Sequence, residues 1–260
     1  FRLLGLDYVY LCFDVNEETL PAAVAGLKTC GIRGFNLTMP NKNKIVELLD
    51  DLSPEAQLIG AVNTVLNDNG KLIGYNTDGY GFMQSVRDAG HDITGKNITV
   101  MGVGGASMAI CAQSALDGAA SVHIFARRTS RYWNRTQKFA ENLSAKTGCQ
   151  VCLFDNDDHT ALRDSIAQSY LLINATSVGM VPDIDDTIIK DTSLFHPELV
   201  VADVVYEPQE TRLLREAKAA GCQTFNGMYM LLHQGAKAFQ IWTGQEMPVS
   251  VIKEKYFSVK

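Results

Sequence analysis

Strand-like and helix-like stretches alternate along this chain, and that alternation predicts an α/β protein. Three observations carry the expectation. Short apolar runs recur ahead of stretches with apolar residues at i, i+3, i+4 and i+7. A glycine cluster at 102–106 lies between one clear strand and one clear helix. Polar side chains gather at strand ends within the first eighty residues. The expected organisation is a first α/β domain over 1–80, a doubly wound domain over 81–226 and a helical tail over 227–260.

Residues 8–13 (Tyr-Val-Tyr-Leu-Cys-Phe) read as a buried strand. Thr19 is placed to cap a helix with Pro21 in its first turn and Leu20, Ala23, Val24 and Leu27 as its stripe. Gly34–Thr38 alternates as a short strand, with Phe35 and Leu37 on one face and Asn36 and Thr38 on the other. Pro40 ends it, and Ile45, Leu48, Leu49 and Leu52 mark a helix. Strands at Ala61–Leu66 and Lys71–Asn76 join through Asn67-Asp68-Asn69-Gly70. Asp78 opens the next helix, whose stripe is Phe82, Ser85, Val86 and Ala89. Beyond Lys96 come a strand at 97–101, a small-residue helix at Ser107–Leu116 and a strand at Ser121–Phe125. Further βα units follow near 136–154, 162–174 and 199–221.

Among the 260 residues, 46% apolar and 20% charged residues suit a filled globular core. Twenty-nine acids against twenty-three Lys and Arg give a net charge of −6, which repels polyphosphate and argues against nucleic acid as a partner. No apolar run nears the ~18 residues of a membrane span, and the opening residues do not resemble a signal peptide. The expected location is cytoplasmic. The chain opens on Phe1, not Met, as expected of an internal fragment or of a chain that has lost disordered residues. Six scattered cysteines make no disulfide framework, and Cys149-Gln150-Val151-Cys152 reads as ordinary strand cysteine. The five histidines form no ligand cluster, so no metal is expected.

Gly102-Val103-Gly104-Gly105-Ala106-Ser107 follows a strand and opens a helix. Glycine permits the tight turn and lets backbone N–H groups approach a pyrophosphate at the positive helix end. A glycine-rich turn without a ligand is the alternative. After the second strand of this region comes Ala126-Arg127-Arg128-Thr129-Ser130-Arg131. A carboxylate there would suit the ribose diol of NAD. Three arginines instead suit the 2′-phosphate of NADP, or else form a solvated basic loop. NADP is favoured, with NAD as the alternative.

Lys42 lies near a helix start, where the dipole opposes a cation and could pull its ammonium toward a range useful for proton transfer. A surface lysine is the plainer reading. Asp78 has an equally plain one as a helix cap. Both stand at polar strand ends ahead of the glycine cluster.

Taken together, these residues resemble the shikimate dehydrogenase family. Asn36-Leu37-Thr38-Met39-Pro40-Asn41-Lys42, Gly60-Ala61-Val62-Asn63-Thr64 and Asn76-Thr77-Asp78-Gly79 stand in the family's order. The glycine turn, Asn174–Met180, Asp203–Pro208 and Gly227–Gln234 match further motifs, and the paired arginines look closest to the quinate/shikimate branch. The resemblance implies an N-terminal substrate domain, a Rossmann-type nucleotide-binding domain and C-terminal helices packing back on the first domain. It implies reversible NAD(P)-dependent oxidation of shikimate to 3-dehydroshikimate, with Lys42 and Asp78 as catalytic residues. Thr38, Asn63, Tyr206 and Gln234 would bind substrate. Gly102, Gly104, Gly105, Ala106, Arg127, Arg128, Arg131, Thr176, Val204, Gly227 and Met230 would bind cofactor.

Two departures from the family pattern stand out. Its opening strand and Ser-x-Ser carboxylate clamp have no counterpart here, so a chain lacking them is expected to bind substrate poorly. Ala126 and Thr129 also differ from the usual residues. The rival readings are an NAD-preferring quinate/shikimate enzyme and a non-catalytic dinucleotide-binding regulatory domain. The intact Lys42 and Asp78 disfavour the regulatory domain. A homodimer is expected only because dimers are the commonest assembly.

Overall fold

Ten strands and ten α-helices, in two separate sheets, make up residues 1–257, which the computed structural model describes. The chain divides into two units, residues 1–77 with 235–260 and residues 78–234. Positions 258–260 of the expected tail lie outside the described residues.

In the first unit, β1 (Gly34–Asn36), β3 (Thr64–Asp68), β4 (Lys71–Tyr75) and β2 (Asp51–Leu52) form one sheet in that order. The β3–β4 hairpin turns on Asn69 and Gly70, at φ 52° and 92°, the left-handed pair that a two-residue turn requires. Helix α1 (Leu20–Thr29) buries Leu20 and Val24 against Ile45, Val62, Val65 and Leu72. Phe35 and Leu37 line the same core, as their shared face predicts. Near Gly34, an added Cβ would fall 2.1 Å from Trp242 Nε1, which donates to Val65 O at 2.9 Å. The absence of a side chain at Gly34 is what lets the indole reach the sheet.

Three expectations are corrected here. Residues 8–13 are neither strand nor buried: Val9 is 83% and Leu11 67% exposed, and no described strand pairs with them. An apolar run is buried only where an edge exists to receive it. The helix expected through Leu52 is instead α2 (Asn41–Lys44), a 3₁₀ turn at Ile45–Leu48 and then β2. Ile45 and Leu48 face the core from the 3₁₀ turn, Leu49 from the link after it and Leu52 from β2, which together imitate a helical stripe. Thr19 precedes α1, but its hydroxyl bonds to Asn16 and does not cap the helix.

Helix α3 (Pro54–Ile59) carries signals that the periodicity argument passed over. Ser53 Oγ accepts from Ala56 N, Pro54 opens the helix, and Gly60 closes it at φ 66°.

The second unit holds β5 (Asn97–Met101), β6 (Ser121–Ala126), β7 (Gln150–Asp155), β8 (Leu171–Asn174), β9 (Val200–Asp203) and β10 (Gln223–Phe225). All pair in parallel in the order β7-β6-β5-β8-β9-β10. Counted from β5 this is 3-2-1-4-5-6, the doubly wound dinucleotide-binding order. The central strands are near-continuous Val, Ile and Leu because helices cover both faces. Those helices are α4 (Asp78–Asp88), α5 (Gly105–Leu116), α6 (Trp133–Thr147), α7 (His159–Gln168) and α8 (Arg212–Ala219). The tail forms α9 (Met228–Thr243) and α10 (Val249–Tyr256), and Ala238 and Trp242 of α9 close a small core with Leu66. Among the described residues, no helix is long and apolar enough to cross a membrane.

Candidate functional site

Strand order decides where a ligand can enter the six-stranded sheet. The strand order reverses between the parallel neighbours β5 and β8, so the crevice lies beyond their carboxyl ends. Gly102 ends β5 at φ 109°, and its N–H donates to Phe125 O at 2.8 Å. A Cβ on Gly102 would stand 2.8 Å from Thr176 Cγ2, so the turn passes tightly against the loop after β8. Gly104 and Gly105 differ: a Cβ on either would meet nothing within 4 Å. That open space lies before α5, whose first N–H groups have no acceptor within the helix. Ser107, standing where a third glycine is usual, turns its hydroxyl back to Gly102 O at 2.5 Å and locks the turn. Open space before a helix start whose N–H groups lack partners within the helix suits an anion such as a pyrophosphate.

The neighbouring loops are fixed by a buried polar network. Asp203 is fully buried and accepts from Asn174 Nδ2 at 3.0 Å, Val205 N at 3.0 Å and Thr211 Oγ1 at 2.8 Å. Asn174 Oδ1 in turn accepts from Thr176 Oγ1 at 2.6 Å. Burial pushes the Asp203 carboxyl above its ordinary range, partly offset by these three donors. The network sets the expected cofactor residues Thr176 and Val204, and Val204 N also donates to Asn174 O at 2.9 Å. Gly227 lies under Val204, where a Cβ would sit 2.0 Å from Val204 O. Asp203 belongs to a motif visible in the sequence, yet only its burial reveals this supporting part.

The basic loop follows β6 directly. Arg127, Arg128 and Arg131 are exposed, with Arg128 over the Trp133 ring and Arg131 over Tyr132. Asp78 opens α4 as its first residue and is buried, so the alternative reading of a cap preceding the helix does not hold. Gly81 of α4 packs so closely on α9 that a Cβ would lie 2.6 Å from Gln234 N and 2.7 Å from Met230 O. Gln234 Nε2 donates to Leu231 O, and Tyr206 is exposed after β9.

In the first unit, Thr38, Lys42 and Asn63 fall on adjoining segments. Thr38 O accepts from Asn41 N at 3.0 Å, and Lys42 O accepts from Val62 N at 2.8 Å. Asn63 is buried: its Oδ1 accepts from Thr77 N at 2.9 Å and Thr64 Oγ1 at 2.9 Å, while Nδ2 donates to Thr77 Oγ1 at 3.0 Å. Asn36 Nδ2 joins through Asn63 O at 3.1 Å and Thr64 Oγ1 at 2.9 Å. Thr77, which no spacing argument singled out, is thus a main partner of Asn63. The Cys149 thiol is buried and pushed up to about 11, and Cys111 to about 12, values of unreactive core thiols.

Comparison with known proteins agrees with this layout. Residues 1–65 match the shikimate dehydrogenase substrate binding domain, and 227–255 match the shikimate 5′-dehydrogenase C-terminal domain. The chain is 51% identical over 257 residues to a shikimate dehydrogenase (NADP(+)) of Listeria innocua, covering 99% of this chain and 88% of that one. It is similar, with TM-score 0.94 and 50% identity, to the crystal structure of the Listeria monocytogenes shikimate 5-dehydrogenase in complex with shikimate and NAD. That match covers 97% of this chain and 87% of the other. A quinate dehydrogenase of Corynebacterium glutamicum in complex with NAD gives TM-score 0.82 at 32% identity, covering 92% and 83%.

Proposed function

The chain belongs to the shikimate dehydrogenase family, and from that membership we propose that it reversibly oxidises shikimate to 3-dehydroshikimate with NADP. One observation carries the reading: the glycine turn opens on unfilled space at the switch point of a six-stranded sheet, in a chain 51% identical to an NADP-dependent relative.

When bound, NADP supplies the acceptor for the hydride. Gly102, Gly104, Gly105 and Ala106 would hold its pyrophosphate, Arg127, Arg128 and Arg131 its adenosine end, and Thr176, Val204, Gly227 and Met230 the nicotinamide side. Lys42 Nζ takes the hydroxyl proton as hydride leaves the carbinol carbon, which avoids a fully charged oxocarbenium. In reverse the same nitrogen donates to the developing alkoxide. Asp78 hydrogen-bonds the same region of the substrate. Asn63 and Gln234 orient the ring hydroxyls, and Thr38 and Tyr206 the carboxylate end. The reading includes a cytoplasmic setting, no nucleic-acid partner and a homodimer.

A two-by-two matrix of shikimate or quinate with NADP or NAD, followed by reduced-cofactor absorbance, tests it. The largest kcat/KM is expected for shikimate with NADP. No turnover in any of the four cells, with cofactor still bound, would make the chain a sensor instead.

A further inference from the structure

We propose that Trp133 is a positioning residue for cofactor choice, holding the Arg128 guanidinium as a preset arm for the 2′-phosphate of NADP. The inference rests on the dehydrogenase reading above and adds to it the residue that sets the selectivity.

Charge comes first. Residues 127–138 carry Arg127, Arg128, Arg131, Arg135 and Lys138, and no acid occurs between Asp117 and Glu141. A chain with net charge −6 therefore concentrates cations on one loop and helix start. Arg127, Arg128 and Arg131 take part in no ion pair among the described residues. The loop leaves β6 beside the glycine turn, since Met101 of β5 registers with Phe125 of β6. Uncompensated cations beside a pyrophosphate cradle suit an additional phosphate.

The three arginines are not equivalent. Arg127 has no aromatic platform among the described residues. Arg131 sits 4.7 Å from the Tyr132 ring centroid but spends a donor on that residue's own hydroxyl at 2.6 Å. Arg128 lies 4.6 Å from the centroid of Trp133, the first residue of α6 and only 7% exposed. A guanidinium face makes no hydrogen bonds, and its five N–H donors lie in the plane. Lying over a buried ring thus holds the side chain and leaves its donors for a ligand. The conformational entropy of a long side chain is given up before the cofactor arrives, which raises affinity for the one group the fork can clasp.

The test uses the full chain and measures Kd for NADP and for NAD by titration, alongside kcat/KM with shikimate. Trp133→Leu should raise Kd for NADP about three- to ten-fold and move Kd for NAD by less than about two-fold. Trp133→Phe, which keeps a ring face, should recover most of the loss. Arg128→Lys, which keeps the charge and loses the plane, should behave like Trp133→Leu. Equal shifts for both cofactors in Trp133→Leu would mean mere packing and overturn the proposal. So would an Arg128→Lys variant with wild-type selectivity, and this exposed position decides the matter if Trp133→Leu fails to fold. A wild-type chain that selects NADP yet never oxidises shikimate would sink the dehydrogenase reading and leave the selectivity to be judged on the two Kd values. One that oxidises shikimate with no NADP selectivity would sink this inference alone.

Discussion

Lys42 stands on a helix of a single turn, Asn41–Lys44, so little aligned dipole acts on it. Its assignment gains support from position instead, on segments that also carry Thr38 and Asn63. Substituting Lys42→Ala should lower kcat by about two to four decades with a smaller change in KM, the usual span for a positioned acid–base group. Steady-state kinetics with saturating shikimate check this, and a near-normal kcat would remove Lys42 from the chemistry. At this scale the residue types were legible and their partners were not. Asn63 was visible as a polar residue at a strand end, but its bonds to Thr77 span fourteen residues and exist only once β3 and β4 have paired.

Elements behave differently, because here local patterns dictate most of the outcome. The turn of Asn69-Gly70, the stripe of α1 and the small-residue helix α5 all form as their sequences predict. Residues 8–13 and the stretch through Leu52 do not, since apolar periodicity reports a wish for burial and says nothing of the partner available.

The junction of β8 and β9 supports two predictions. Gly227→Ala would place a Cβ 2.0 Å from a backbone carbonyl that cannot yield cheaply, so Tm should fall and Kd for NADP should rise by at least about ten-fold. Thermal melts and cofactor titration would show it; an unchanged pair of values would mean the backbone relaxes freely. Asp203 gives a pH signature. Its folded-state pKa lies above the ordinary carboxylate value, so the native chain keeps a proton that the unfolded chain has already lost. Its contribution is therefore fully present below the unfolded pKa and is lost as pH rises toward the folded one. Against Asp203→Asn, the wild type should lose relative stability as pH rises through that window. Urea melts across a pH series measure the difference, and a gap independent of pH would contradict the burial argument.

On the scale of the whole molecule, a chain of net charge −6 presents a basic loop beside its nucleotide turn. Raising ionic strength from about 10 mM to about 150 mM shortens the screening length from ~30 Å to ~8 Å. KM for NADP should then rise more than KM for NAD, by about three-fold in ratio, because the extra phosphate depends on those cations. Parallel salt dependences for the two cofactors would place the recognition elsewhere.

The alternation of periods, the glycine turn, the basic loop after the second nucleotide strand and the family motifs were all readable along the chain, because each depends on neighbours within a few residues. Strand order, the space left open at Gly104 and Gly105, the burial of Asp203 and the stacking of Arg128 on Trp133 were decided by tertiary structure. Each of these depends on which distant segments meet, and one-dimensional spacing does not contain that information.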